Sequence, residues 1–415
     1  MDENLAITIK LYGHTVGYLA MDGGIVYFEY DDEFKKLGLE ISPLKLNTST
    51  ISIYTNNDDN FFQSLPGVFH DSLPDKFGNK IIEKYYAEKG INDYDLNLLQ
   101  RLTYIGSYGM GALEYEPNII HDDIKEALDI RNLVDDARKI ISGNVKDAIP
   151  DIMESGGSAG GARAKAIIAW NRKTDDIRSG RAEPKKGYEQ YLLKFDGVGE
   201  NQEPADYTKI EYIYMSIAKE CGLNVAEVEL LKDREYNHLL VKRFDRIEGK
   251  KVHMHSLCGI THTNFNIPKM FSYENYLRTV LQVTKNQDNV LTAFSHMIFN
   301  VISRNQDDHT KNFSFLMTES GEWMTAPIYD LTYSNGTGYT AEHQMTINGK
   351  TDFFEMDDFY SFSKVFGFSK DIIKDIVNYI QETFLERLLE LGNELGVDKK
   401  RINRILKNVR KFDTN

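Results

Sequence analysis

The chain has 415 residues, 41% of them apolar and 27% charged, with a formal net charge of −14 at neutral pH. That length accommodates two or three domains and at least one large core, and the composition is that of an ordinary soluble globular protein. The acidic balance disfavours direct, non-specific nucleic-acid binding and suits a basic protein partner. Met1-Asp2-Glu3-Asn4 is not a signal-peptide start. No window approaches the roughly 18 uncharged apolar residues of a spanning helix, so a cytoplasmic protein without membrane contact is expected. Cys221 and Cys258 lie 37 residues apart, which argues against a disulfide framework and for two buried small hydrophobes.

The first third reads as strand-rich. Leu5–Leu11 alternates, Val16–Leu19 and Ile25–Tyr30 follow, and Asp22-Gly23-Gly24 between the last two is a hairpin signal. Ile51–Tyr54 adds a short strand. Helical periodicity appears at Lys80–Glu88, Leu96–Leu102 and Asp122–Ala137. Pro150–Gly161 ends in a Gly/Ser loop before the buried strand Ala166–Trp170. Asn171–Gly187 is polar and aperiodic and reads as an exposed hairpin loop, from which the strand Tyr188–Phe195 returns. Ile210–Cys221 places Ile210, Ile213, Tyr214, Ile217, Ala218 and Cys221 on one helical stripe. Val228–Leu231 and His238–Arg243 read as strands. Tyr273–Thr284, Asp288–Ile302, Lys370–Glu390 and Asp398–Lys411 read as helices. The Lys/Arg-rich ending is a solvated helix face.

Chemistry concentrates in Asn305-Gln306-Asp307-Asp308-His309-Thr310-Lys311-Asn312, followed by Tyr329-Asp330. Asp307 and Asn312 are five residues apart, the spacing at which a phosphoryl-transfer loop holds its base and a metal-binding amide. Asp330 comes 18 residues later, beyond a strand-like run, Asn312–Met317, and a turn at Glu319–Glu322. That is the place for a second metal-binding carboxylate. Phosphoryl transfer needs an acceptor for the incoming hydroxyl proton and hard oxygen ligands for Mg²⁺; an Asp, an Asn and a second Asp supply them.

Upstream, Lys194 sits near the end of an apolar strand, where its ammonium has a rigid mount from which to meet phosphates. Glu211, at the start of an amphipathic helix, is its candidate partner. The stretch Ser155–Lys165 is glycine-rich, so its backbone N–H groups have the freedom to approach phosphate oxygens. It fits neither G-x-x-x-x-G-K-[ST] nor G-x-G-x-x-G, and a flexible linker is the plain alternative. His253, His255 and His262 lack a carboxylate or Cys at metal-site spacing.

Taken in order, these pieces resemble the HipA family, the Ser/Thr kinase toxins of bacterial type II toxin–antitoxin modules. Val16-Gly17-Tyr18-Leu19 and Phe28-Glu29-Tyr30 resemble the family's N-terminal β-domain. Phe69-His70-Asp71-Ser72-Leu73-Pro74-Asp75 resembles its F-x-D-x-L-P-D segment, and Gly106–Leu113 its G-x-x-x-x-G-A-L segment. Ser158-Ala159-Gly160-Gly161-Ala162 with Lys165 resembles its S-x-x-G-A-x-x-K loop, Glu211 through Val225 the helix ending in G-L-x-V, and Lys242-Arg243-Phe244-Asp245-Arg246 its R-F-D-R segment.

The resemblance implies an α+β, bilobal protein-kinase-like fold. Its parts would be an N-terminal β-rich subdomain over residues 1–120, an N-lobe-like region over 121–250 and a helical C-lobe over 251–415. It implies Mg-ATP as cofactor, with Asp307 as catalytic base and Asn312 and Asp330 as Mg²⁺ ligands. Lys194 would contact the α/β-phosphates. His309 and Lys311 would support the catalytic loop and the phosphates. Ser158, Gly160, Gly161, Ala162 and Lys165 would form the loop over the nucleotide, and Lys242, Phe244 and Asp245 the hinge against adenine and ribose. Ser158 would be an inactivating autophosphorylation site, since a dianion among phosphate-binding groups competes with the nucleotide. The implied partners are a protein substrate, an aminoacyl-tRNA synthetase being the family's target class, and a small helix-turn-helix antitoxin of HipB type through which DNA is met only indirectly. Two departures are Asp308, which adds negative charge beside the metals in place of a small residue, and Lys242, in place of a residue often acidic. A small-molecule or lipid kinase and a catalytically idle corepressor scaffold are the alternative readings.

Overall fold

The computed structural model describes residues 5–56, 60–91, 96–119, 130–141, 164–180, 186–198 and 206–414. The chain forms two compact units. The first comprises Met1–Ala205, Glu229–His255 and Leu316–Glu322; the second comprises Asp206–Val228, Ser256–Phe315 and Trp323–Asn415.

The first unit holds two five-stranded sheets. Strands β1 (Ala6–Leu11), β2 (His14–Asp22), β3 (Ile25–Tyr30), β4 (Ile53–Tyr54) and β5 (Leu113–Glu116) take the order β4-β3-β2-β1-β5. The alternation of β1 buries Ile7, Ile9 and Leu11 on one face. Gly23 and Gly24 have φ of 56° and 81°, the left-handed pair that a tight hairpin between β2 and β3 demands. The second sheet is built from β6 (Lys165–Asn171), β7 (Asp176–Ser179), β8 (Glu189–Lys194), β9 (Val228–Asp233) and β10 (Tyr236–Lys242), in the order β7-β6-β8-β10-β9. The expected loop Asn171–Gly187 is corrected here. It contains β7, which pairs with β6 in the register Asn171↔Asp176. An edge strand is solvated and polar, so its sequence carries no apolar alternation.

Helices α1 (Asp32–Lys36), α2 (Gly67–His70), α3 (Lys76–Glu88), α4 (Leu98–Ile105) and α5 (Ile130–Ile141) complete this unit. The expected helix Asp122–Ala137 lies outside the described residues before 130. Phe77 and Ile81 of α3 and Leu133, Val134 and Ala137 of α5 share one core with Ala166, Ile168 and Trp170 of β6 and Leu193 of β8. So α3, from the first stretch of sequence, packs into the core of the second sheet.

The second unit is mostly helical: α6 (Tyr207–Glu220), α7 (Leu257–Thr261), α8 (Tyr273–Thr284), α9 (Gln287–Ser303), α10 (Met356–Phe366), α11 (Lys370–Glu394) and α12 (Lys399–Asn408). The stripe read on α6 is buried except for Cys221, which is only partly so, while Cys258 is fully buried. Tyr214 of α6 and Phe299 of α9 both pack edge-on against Phe384 of α11, at 5.1 and 5.6 Å between ring centroids. Helix α9 is the central one, with Val290, Phe294, Met297, Ile298, Val301 and Ile302 all fully buried. The candidate loop begins where it stops.

Candidate active site

Helix α9 ends at Arg304, whose left-handed backbone (φ 60°) turns the chain out of the helix. From there burial alternates. Residues 305, 306, 308 and 310 are buried, whereas Asp307, His309, Lys311 and Asn312 are partly open, the Asp307 side chain by 41%. The loop therefore presents the expected residues outward on a packed support. Asn312 Nδ2 donates to the Asp307 carbonyl at 2.9 Å, closing the five-residue interval into a ring. His309 Nε2 lies 3.6 Å from Asp307 Oδ1, beyond hydrogen-bond reach, and its ring packs on Phe265.

Asp308 corrects an expectation. It adds no charge on the open face, because its carboxylate is turned into the core with no exposure. It accepts from Tyr273 Oη, from His343 Nδ1 and from the Gln344 backbone N–H, each at 2.7 Å. Tyr273 Oη in turn accepts from Asn300 Nδ2 at 3.1 Å, and Asn300 Oδ1 accepts from Asn305 Nδ2 at 3.0 Å. The loop is thus pinned at Asn305 and Asp308, one residue either side of the Gln306-Asp307 pair.

Asp330 is partly open and has a left-handed backbone, φ 59°. Two ties set its position. Tyr329 Oη donates to the Lys311 carbonyl at 3.0 Å and meets Ser314 Oγ at 2.7 Å. Two residues earlier, Ile328 makes a parallel bridge with Val225, the last residue of the G-L-x-V segment. That motif positions a candidate ligand rather than supplying one.

The remaining candidates are in the first unit, Glu211 of α6 apart. Lys194 of β8 and Lys165 of β6 are directly paired in the sheet, so both side chains rise from the same face. Lys194 is half-buried. Lys165 is 2% exposed, and its Nζ meets Asp75 Oδ2 at 2.7 Å. Asp75 caps α3 with its other oxygen, accepting from the Gly78 N–H at 2.7 Å. Lys165 thus has an internal counter-ion that sequence reasoning did not identify, although Asp75 was already visible in the L-P-D motif.

Asp245 does not stand open to a ribose as expected. It is fully buried, paired with Arg243 (2.7 Å) and Arg246 (2.8 Å), and accepts from the Gly111 N–H at 2.7 Å. Burial alone would raise its pKa; the two guanidinium groups override this and hold it well below the usual carboxylate range. Both arginines also donate to the Gly109 carbonyl. Gly111 is required there, because φ is +78° and a Cβ would come within 2.9 Å of the Met254 nitrogen. The R-F-D-R and G-x-x-x-x-G-A-L segments are thus two halves of one clamp. Phe244 is half-buried, and Lys242 pairs with Glu189 at 2.6 Å. Ser158, Gly160, Gly161 and Ala162 lie outside the described residues.

His253 and His255 are committed to the protein. His255 bridges Asp71 (2.7 Å) and Ser42 (3.0 Å), while His253 Nε2 meets the Ile41 carbonyl at 2.9 Å. Among the described residues no set of three or more His, Cys, Asp or Glu could hold a metal unaided. Asn312 and Asp330 carry the hard oxygens that suit Mg²⁺, an ion that normally completes its shell with water and substrate phosphates. No helix among the described residues is long and apolar enough to cross a membrane.

Residues 157–411 match the HipA-like C-terminal domain, and residues 7–116 match the HipA N-terminal domain. The serine/threonine-protein kinase toxin HipA of Shewanella oneidensis is 33% identical over 144 residues, 29% of this chain and 33% of that protein. A Sinorhizobium fredii protein named only provisionally, as a kinase, is 27% identical over 228 residues, 51% of this chain and 52% of its own. The chain spans about half the length of that relative. In structure it resembles a chain from the S. oneidensis complex of HipA, HipB and operator DNA, with a TM-score of 0.70 at 19% identity over 97% of this chain and 94% of that one. That likeness establishes the α+β fold class expected from sequence. With its C-terminal model covering well over half of the sequence, the chain belongs to the HipA-like family.

Proposed function

We propose that this protein is a Mg-ATP-dependent protein serine/threonine kinase acting as the toxin of a type II toxin–antitoxin pair. It would inhibit translation by phosphorylating a protein such as an aminoacyl-tRNA synthetase. A small helix-turn-helix antitoxin of HipB type would restrain it and provide its only link to DNA. The observation that carries the reading is the support of Asp307 and Asn312, which are held outward on a buried loop and joined through the Asp307 carbonyl.

Bound Mg-ATP would supply the γ-phosphoryl group. Asp307 then takes the proton of the incoming hydroxyl, and Asn312 and Asp330 offer oxygens to the metal. Lys194, with Lys165 already neutralised beside it, offers an ammonium to phosphate. Ser158 is the proposed site of inactivating self-modification.

The test is incubation of the purified protein with labelled Mg-ATP and mapping of the label by mass spectrometry, with Asp307→Gln as control. Label on Ser158 and at least about a hundredfold less in the variant is expected, the size of a lost general base. Measurable ATP binding without any protein label, in material not already phosphorylated, would instead indicate a small-molecule kinase. Absence of ATP binding would indicate a scaffold.

A further inference from the structure

The candidate base and the second candidate metal ligand come from two stretches of the second unit, and three hydrogen bonds join those stretches. Tyr329 Oη donates to the Lys311 carbonyl at 3.0 Å. The Ser334 N–H donates to the Arg304 carbonyl at 3.2 Å, and Asn335 Nδ2 donates to Gln306 Oε1 at 2.6 Å. Asp307 lies between the joined positions 306 and 311 of one stretch, and Asp330 between 329 and 334 of the other. Both residues are thus held within one brace. Asp330 needs that support, since its φ of 59° is a backbone conformation that an L residue keeps only where its surroundings impose it.

Asn335 is the side-chain tie nearest Asp307, and its amide is committed at both ends. Its Oδ1 accepts from Tyr333 Oη at 3.3 Å, and Tyr333 Oη accepts from Asn408 Nδ2 at 2.9 Å. Asn408 belongs to α12 and donates also to the Arg404 carbonyl of that helix, at 2.8 Å. Donors and acceptors therefore match along the whole row from α12 to Gln306. Gln306 is fully buried, which makes the loss of its partner costly.

We propose that Asn335 is a positioning residue. Oriented by Tyr333 and Asn408, it fixes through Gln306 where the Asp307 loop stands relative to Asp330. Phosphoryl transfer depends on such placement, because the base meets the incoming hydroxyl while the metal ligands act on the phosphate side; a displacement of about 1 Å costs rate steeply. The inference rests on the kinase reading and adds to it the residue that keeps base and metal ligand in step.

The test compares the wild type with Asn335→Ala and the milder Tyr333→Phe, each shown to be folded by thermal melting. Amide hydrogen exchange, measured without nucleotide, should rise about tenfold in residues 304–312 and 329–335 of Asn335→Ala, the size of one hydrogen bond, and stay unchanged across the first unit. In material not already phosphorylated, the initial rate of self-labelling at saturating ATP should fall about tenfold, and its half-maximum should require about threefold more Mg²⁺. Tyr333→Phe should move both readings in the same direction by a smaller factor. A lower melting temperature with an unaltered rate and Mg²⁺ requirement would mark Asn335 as purely structural and overturn the proposal. Unchanged exchange in the two stretches would overturn it as well, whatever the activity. If the wild type transfers no phosphoryl group while the two stretches loosen together in Asn335→Ala, the brace stands and the kinase reading alone falls.

Discussion

Asp308 shows how much of this site is support. Its carboxylate satisfies three buried donors: the Tyr273 hydroxyl, His343 Nδ1 and the Gln344 N–H. A buried donor left without its acceptor costs about 1–3 kcal/mol. Asp308→Ala should therefore lower stability by roughly 3–5 kcal/mol after partial relaxation, read as a lower urea midpoint with an unchanged m-value. A loss near zero would mean that water replaces the carboxylate, and that the pinning of the loop is weak. Asp245 poses a sharper case, because its partners are charged. Asp245→Asn leaves the Arg243 and Arg246 guanidinium groups, 1% and 7% exposed, without a counter-ion. Breaking a buried pair from one side costs about 3–5 kcal/mol, and the same denaturation measurement checks it. Both variants act on support, so neither needs the kinase reading to be right.

At the scale of elements, the second sheet places Lys165 directly opposite Lys194. Like charges facing each other across strands repel, and Lys165 is nearly inaccessible to water. The N-cap of α3 resolves this, as Asp75 holds the first turn with one oxygen and Lys165 with the other. Asp75→Asn should cost about 3 kcal/mol or more, while adding Lys165→Met should return part of that loss, because the buried charge is then gone. A double-mutant cycle measures the coupling, and additive losses would show that cap and ion pair act independently. This tie joins residues 90 apart in sequence, which is why no pattern reading finds it. What the sequence shows directly is local. The strands β1 to β3 follow from alternation and a Gly-Gly turn, and α8 from the helical pattern over Tyr273–Thr284. The outward residues of the candidate loop follow from spacing. The polar edge strand β7 and the aromatic helix α10 do not, because one lacks alternation and the other packs Phe359, Phe362 and Phe366 in a stretch rich in Asp and Ser. Motifs such as R-F-D-R and G-L-x-V are visible as letters, but their roles as clamps emerge only when the distant halves meet.

For the whole molecule, each unit carries a buried neutral histidine that makes it sensitive to acid. In the first, burial lowers His253 from 6.5 to about 4, with His255 adding to the effect while the Ile41 carbonyl and Asp71 oppose it. In the second, burial lowers His296 from 6.5 to about 3 despite the attraction of Asp308. An unfolded chain protonates both near their ordinary value, so it binds more protons than the native state below pH 6.5. Their contribution is therefore full above pH 6.5 and declines as the pH falls towards 4 and 3 respectively. At pH 5 each has lost roughly 2 kcal/mol. A global effect runs the other way. Protonating exposed members of the 10 histidines reduces a net charge of −14 and relieves self-repulsion. That repulsion is long-ranged and screened beyond about 8 Å at physiological salt, whereas burial of the two imidazoles is not screened at all. At that ionic strength the histidines should prevail, and the melting temperature should fall between pH 7 and pH 5. At low salt the fall should be smaller. Melting curves at both ionic strengths decide the matter: a temperature that holds or rises towards pH 5 at physiological salt would show that the two rings are protonated within the fold, and that their burial is not what it costs to acidify this protein.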